Sequence, residues 1–173
     1  FSRSGGARTR AVGAADVAFS LARVGDPAVG SPVLETLGKI SGLVEFGKRL
    51  EDRRKNDPSF AKLRIDQQYR EAGPIDGVRV LGDLELEIVL DDAYPQILYW
   101  FAMPFTAPVP WEAVAAYTGQ EGVESFAEHP VGSGPFVLAR YDKRSRIVLR
   151  KNEAWYGVTH PEWKAPAATY PSE

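Results

Sequence analysis

Between His129 and Gly157 the chain reads His-Pro-Val-Gly-Ser-Gly-Pro-Phe, then two short alternating runs, then Asn-x-x-Trp-Tyr-Gly. Gly132 and Gly134 bracket Ser133, and Pro130 and Pro135 flank the trio. Glycine tolerates positive φ and proline fixes its own, so the spacing predicts a defined backbone bend that leads straight into a strand. Phe136 and Leu138, then Ile147 and Leu149, alternate with other residues, and Asp142 to Ser145 form a polar turn between them. That pattern is a β-hairpin. Trp155 and Tyr156 are large enough to seal the end of a core behind it. A strand after the glycines also removes two chemical readings of Gly132-Ser133-Gly134. The hydrolase elbow and the phosphate cradle both need a helix there, so catalysis at Ser133 fails its context test and a structural bend is the better account.

Upstream, residues 1 to 13 are rich in Ser, Gly and Arg and read as a loop. Val17, Leu21 and Val24 recur at helical spacing with Asp16 in the first turn, which predicts a helix over 14–24. Asp26-Pro27 and Gly30-Ser31-Pro32 read as a turn-rich connection. Leu37, Ile40, Val44 and Leu50 predict a helix over 34–50, against the cost of Gly38, Gly42 and Gly47. The mixed charges from Glu51 to Glu71 read as a solvated helix end and loop, broken at Asn56-Asp57-Pro58. Residues 75–81 and 84–90 alternate with period two around Gly82-Asp83, which predicts a second hairpin with Leu84, Leu86, Ile88 and Leu90 on its core face. Asp91-Asp92 before Pro95 reads as a helix start. The run that follows is apolar on nearly every side, so it is expected to be buried or to face another surface. Three prolines from Met103 to Pro110 predict a stiff extended segment, and a short helix follows from Pro110 to Tyr117. Residues 119–128 read as a polar link and 158–173 as an irregular crossing segment.

Composition narrows the function classes. The chain has 173 residues, 44% of them hydrophobic, enough for one or two domains with a sizeable core. It has no cysteine, which excludes disulfides, thiolate zinc sites and cysteine nucleophiles. No run approaches the roughly 18 apolar residues of a membrane-spanning helix. The formal charge of −2 supplies no whole-molecule field for nucleic acid. Arg140, Lys143, Arg144, Arg146, Arg150 and Lys151 make the second hairpin basic, but no recognition motif accompanies them, and a solvated hairpin tip is the better reading. His129 and His160, the only histidines, lack carboxylates at metal-ligating spacing. Asp91 and Asp92 point apart as chain neighbours, which disfavours paired acid–base chemistry.

The Gly-Ser-Gly-Pro-Phe entry and Asn-x-x-Trp-Tyr-Gly exit resemble the family 5 extracellular solute-binding proteins. Ala15-Asp16-Val17-Ala18-Phe19-Ser20-Leu21 looks like that family's "ADVVYSL" helix, and Pro108 to Tyr117 like its "PVPxEAVxxY" stretch, in the same order along the chain. The resemblance implies a mixed α/β (α+β) architecture, part of a two-lobed periplasmic-binding-protein-like fold of the class II type, with β-hairpins packed by short helices. Members are considerably longer, so a piece of a longer chain is implied: residues 1–128 as a partial lobe, and 129–173 as a hairpin and crossing segment of the adjoining one. Members are periplasmic or lipid-anchored receptors, monomeric and without cofactor, that hand peptides, nickel complexes or oligosaccharides to ABC permeases.

The aromatic run from Tyr94 to Phe105 either fills a core or lines a ligand cleft, and on residue pattern alone both stay open. The resemblance puts Trp100, Met103, Phe105 and Thr106, together with Gly132, Ser133 and Phe136, near the cleft between lobes. Nickel-binding members carry an arginine in the segment aligned with Met103 to Thr106; none stands there in this chain, which argues against that ligand class. The implied function is non-enzymatic capture of peptides or similar oligomeric solutes, with no nucleic-acid partner. A hydrolase acting on peptides or glycans is the alternative from another class, and a ligand-free structural fragment is a third.

Overall fold

In the computed structural model, which describes residues 1, 10–118 and 126–159, the first expected helix runs over Ala14–Gly25 (α1). Its first turn is closed by the Asp16 carboxylate, which accepts the Gly13 backbone N–H at 2.9 Å. Leu21 and Val24 are buried and Val17 is half-buried, as the periodicity requires. By contact, the chain divides into a unit Gly13–Val123 and a unit formed by Phe1–Val12 with Glu124–Glu173.

The helix expected over 34–50 is in fact two, Leu34–Leu37 (α2) and Leu43–Asn56 (α3). Gly42, at φ 74°, reverses the chain between them, a left-handed conformation that L side chains rarely adopt. Gly47 stays helical for a different reason. A methyl group there would overlap the carbonyl oxygen of Gly25, so α1 and α3 cross with backbone against backbone. Leu37, Ile40, Leu43, Phe46 and Leu50 form the buried centre of this unit.

Residues 51–71, expected to be solvated, are structured. Helix α3 continues to Asn56. Asp57 then caps Pro58–Ala61 (α4) by accepting from Ser59 N at 2.9 Å and Phe60 N at 3.1 Å. Ile65–Glu71 (α5) follows and buries Ile65, Asp66, Gln68 and Tyr69. The charges misled because they are used internally. Asp26, expected to be a turn residue, is only 1% exposed. Its two oxygens accept from Arg54 Nη1 and Nη2 at 2.6 and 2.8 Å, from the Tyr69 hydroxyl at 2.9 Å and from the Ala28 N–H at 2.9 Å. Burial pushes the Asp26 pKa up, but the Arg54 and Ala28 hydrogen bonds and the Arg54 charge outweigh it and hold the carboxyl below its ordinary 3.8. The Tyr69 hydroxyl is pushed well up, by burial first and then by the Asp26 charge.

The first hairpin pairs Val78–Gly82 (β1) antiparallel with Glu85–Ile88 (β2), Val80 opposite Leu86, with its turn at Asp83-Leu84 rather than Gly82-Asp83. The expected core face is not buried. Leu84 is 88% exposed, and Leu86, Ile88 and Leu90 are half-buried, because two strands alone offer no layer to cover that face. The base of the hairpin is pinned by a ring of backbone bonds: Gly77 N to Ser41 O at 2.8 Å, Ser41 N to Val89 O at 3.0 Å, and Val89 N to Gly77 O at 2.9 Å. Asp91 N donates to Lys39 O at 2.9 Å, which prolongs this pairing. Asp91-Asp92 therefore do not start a helix. The next one is Ile97–Phe101 (α6), entered through Gln96, and a 3₁₀ turn Pro104–Thr106 and the helix Trp111–Tyr117 (α7) follow.

In the second unit, Phe136–Asp142 (β3) pairs antiparallel with Arg146–Lys151 (β4), Leu138 opposite Leu149, with a bulge between Leu138 and Arg140. The bend before β3 is present, but neither Gly132 nor Gly134 has a positive φ. Asn152, 1% exposed, holds it instead: its backbone N–H donates to Pro135 O at 2.8 Å and its side-chain amide to Gly134 O at 3.0 Å. Trp155 is half-buried and Tyr156 is 40% exposed, their rings 5.5 Å apart, before the short helix Tyr156–Thr159 (α8). The readings of residues 2–9, 119–125 and 160–173 lie outside the described residues. The whole is a mixed α/β architecture of hairpins and short helices.

Two substitutions test this packing. Gly47→Ala is expected to destabilise by about 2 kcal/mol or more, because neither backbone can withdraw. Gly82→Ala, with open space around it, should stay within about 0.5 kcal/mol, both read by urea denaturation. Asp26→Asn leaves the partly buried Arg54 guanidinium without its counter-charge and is expected to cost about 3 kcal/mol. Because the folded-state pKa of Asp26 is lowered, its contribution is complete above the unfolded value of 3.8 and fades as pH falls through the folded value. A pH series of denaturation midpoints should therefore lose stability in acid less steeply for Asp26→Asn than for the parent.

Candidate functional site

The segment from Tyr94 to Pro110 is fixed from behind by polar bonds. The Trp100 indole N–H donates to the Tyr94 hydroxyl at 3.1 Å. Thr106 is buried, and its Oγ1 lies 2.9 Å from Trp100 O and 3.0 Å from Met103 O, which folds α6 and the 3₁₀ turn onto each other. Val109 N donates to Ser20 Oγ at 2.9 Å, and that hydroxyl donates to Asp16 O at 2.8 Å within α1. One α1 serine thus anchors a segment 89 residues further on. The front is open. Met103 is 44% and Phe105 52% exposed, while Trp100 is half-buried.

Four of the seven nominated residues, Trp100, Met103, Phe105 and Thr106, therefore sit in one compact stretch of the first unit. Thr106 braces it, and Met103 and Phe105 form its exposed part. Leu98 and Tyr99, 71% and 77% exposed, belong to the same surface; Tyr99 stood in the aromatic run already read as a core or ligand surface, and Leu98 was not singled out. The signal for Leu98 was present: the helix is apolar on every side, and of its residues only Ile97 is fully buried. Gly132, Ser133 and Phe136 lie together in the second unit, the first two exposed and Phe136 37% exposed, on the corner that Asn152 braces. Asn152 was quoted only as part of a motif, yet it is the residue that makes the corner.

Other candidates resolve into structure. Asp91 and Asp92 are exposed at the end of the hairpin extension. Among the described residues no group of three His, Cys, Asp or Glu side chains is placed to hold a metal ion. His160 lies outside the described residues. On the basic hairpin Arg140 pairs with Asp142 at 2.8 Å, Lys143 with Glu128, and Lys151 with Glu153 at 3.6 Å. A separate groove of about 390 Å³ opens between α1 and α5, walled by Phe19, Phe46, Tyr69, Ile75 and Trp111. Asp66 at its rim is already engaged by Arg64 at 2.9 Å and Arg70 at 3.0 Å, and the Arg64 hydrogen bonds hold its carboxyl below the ordinary value.

Among the described residues, short helices, two hairpins and an exposed apolar stretch on a braced backbone make up a mixed α/β architecture. The family model for the middle part of bacterial extracellular solute-binding proteins, family 5, matches residues 9–166, and the chain belongs to that family. The oligopeptide ABC transporter substrate-binding domain from Bacillus anthracis str. Ames superposes with a TM-score of 0.60 at 22% identity, over 91% of this chain and 26% of its own. Haemophilus influenzae OppA, solved in complex with the peptide RPPGFSPFR, gives 0.58 at 15%, over 91% and 26%. The Escherichia coli murein tripeptide binding protein MppA gives 0.56 at 20%, over 90% and 26%. The chain thus spans about a quarter of the length of these solved structures. A search of the curated proteins returned no match.

The Asn152 brace yields a local prediction. Asn152→Ala removes the bond to Gly134 O and the acceptor for the Ala154 N–H, 3.2 Å away. It is expected to cost about 1–3 kcal/mol. Hydrogen exchange at Ala154 should accelerate, whereas exchange within β1–β2 should not change.

Proposed function

We propose that this chain forms part of the solute-capturing receptor of an ABC importer, and that the solute is a peptide or a similar oligomer. The observation that carries the reading is the family match over residues 9–166. Two superposable proteins support the solute class: Haemophilus influenzae OppA, solved in complex with RPPGFSPFR, and the Escherichia coli murein tripeptide binding protein MppA. On this reading Trp100, Met103, Phe105 and Thr106 in the first unit, and Gly132, Ser133 and Phe136 in the second, are each candidates for contact with solute. Residues 1–128 form part of one lobe, and the hairpin and crossing segment 129–173 belong to the adjoining one. Binding is non-enzymatic. The exposed Ser133 hydroxyl sits on a bend leading into a strand, which supports a scaffold role. Closure of the lobes over solute follows from tighter binding to the closed state, and the closed state is what a membrane permease reads. The receptor works as a monomer outside the cytoplasmic membrane and needs no cofactor.

Isothermal calorimetry and NMR titration of the 173-residue chain with a mixture of tri- to pentapeptides test this. Binding weaker than micromolar is expected, because the chain covers only 26% of the superposed receptors. Shifts should appear in both nominated groups of residues. The absence of any shift at millimolar peptide, or turnover of peptide that Ser133→Ala abolishes, would defeat the reading.

A further inference from the structure

Resting on the reading just given, we infer that Ser20 is a positioning residue: its hydroxyl sets the register in which the stretch from Met103 to Pro110 lies along α1. The geometry is a match of one acceptor to one donor. Ser20 is buried, and its single hydroxyl proton goes to Asp16 O at 2.8 Å, so only lone pairs face away from α1. The Val109 N–H meets them at 2.9 Å. On the other side of the contact, Thr106 and Ala107 spend their N–H groups inside the turn, on Met103 O and Pro104 O, both at 3.2 Å. Pro108 and Pro110 have no N–H to give. Val109 therefore carries the one backbone donor between Thr106 and Pro110 that reaches α1.

A slip by one residue, about 3.3 Å along an extended chain, is penalised in both directions. Either way a proline nitrogen comes to stand opposite Ser20, and the hydroxyl oxygen and the half-buried Val109 N–H lose each other. Three residues with N–H groups in place of Pro-Val-Pro would offer Ser20 three partners; this stretch offers one. The consequence reaches the nominated residues because the 3₁₀ turn packs against α1. Thr106 is buried there and its neighbours Phe105 and Ala107 are exposed, so a slip would bring one of them to the place of the threonine that ties the turn to α6.

The test is NMR of the isotope-labelled 173-residue chain as parent, Ser20→Ala and Ser20→Thr. In Ser20→Ala the Val109 amide is expected to exchange about tenfold faster and the signals of residues 103–106 to move or double, while exchange within α3 stays as in the parent. Ser20→Thr keeps the hydroxyl and should restore the parent signals over 103–109. Titration with the tri- to pentapeptide mixture should show about tenfold weaker binding to Ser20→Ala, and parent-like binding to Ser20→Thr. An unprotected Val109 amide in the parent would overturn the inference whatever the variants do. Parent-like signals over 103–106, or parent-like peptide binding, in a folded Ser20→Ala chain would also overturn it and leave peptide capture standing. No shift with peptide on the parent would remove the solute reading and, with it, the positioning role.

Discussion

Taking the Asp26 carboxylate out of water costs several kcal/mol unless its oxygens are fully engaged. Four hydrogen bonds engage them, from Arg54, Tyr69 and the Ala28 backbone. The donors come from separate elements: Ala28 from the turn after α1, Arg54 from the last turn of α3, Tyr69 from α5. Displacing any of these donors would leave part of a buried carboxylate unengaged. The Tyr69 ring also packs on Phe19 of α1 and Phe46 of α3, at 5.4 and 5.7 Å between centres, so the aromatic core and the ion pair share one residue. Moving the phenol from its carboxylate would disrupt both.

That clamp fixes the direction of α1, and α1 carries the bond that matters for the candidate site. Ser20 accepts the Val109 N–H on the face of α1 turned away from solvent. The proline-rich stretch inherits its position from the clamp through this hydroxyl, a chain of contacts from a buried charge to an exposed apolar surface. The backbone crossing of α1 and α3 at Gly25 and Gly47 acts in the same sense, since it brings Asp26 within reach of Arg54.

Local pattern was enough for elements whose partners are near in sequence. α1, both hairpins and α7 were legible because period and turn chemistry set them, and the Gly-Ser-Gly-Pro-Phe and Asn-x-x-Trp-Tyr-Gly motifs carried the family. What escaped depended on distant partners. Asp26 looks like any turn aspartate until Arg54 and Tyr69, 28 and 43 residues away, are brought to it. Residues 65–71 looked solvated because their charges conceal that Ile65 and Tyr69 face inward. Gly42 breaks a helix that its apolar spacing would continue, and only the φ of 74° distinguishes it from Gly47, which the helix tolerates. At the site, Thr106 and Phe105 are neighbours with opposite duties, one buried as a brace and one exposed. No periodicity separates them, because the 3₁₀ turn that does so is three residues long.

The two hairpins show why alternation is a weaker guide to burial than to secondary structure. A period of two fixes that Leu84, Leu86 and Ile88 share a side; it does not supply anything to cover that side. Each sheet has two strands, and the facing layer a sheet needs for a dry surface must come from elsewhere in the fold. Ile147 and Leu149 on β4, 64% and 57% exposed, are in the same position. Helices meet this requirement locally, because α1, α3 and α5 cover one another. Buried charge and close backbone crossings therefore concentrate in the helical part of the first unit, and open apolar surface concentrates on the hairpins and on α6. The segment after α6 and its 3₁₀ turn is bonded into the helical part through the buried Ser20 hydroxyl, which accepts the Val109 N–H, and the first hairpin through the Ala14 N–H, which donates to Asp83 O at 2.8 Å.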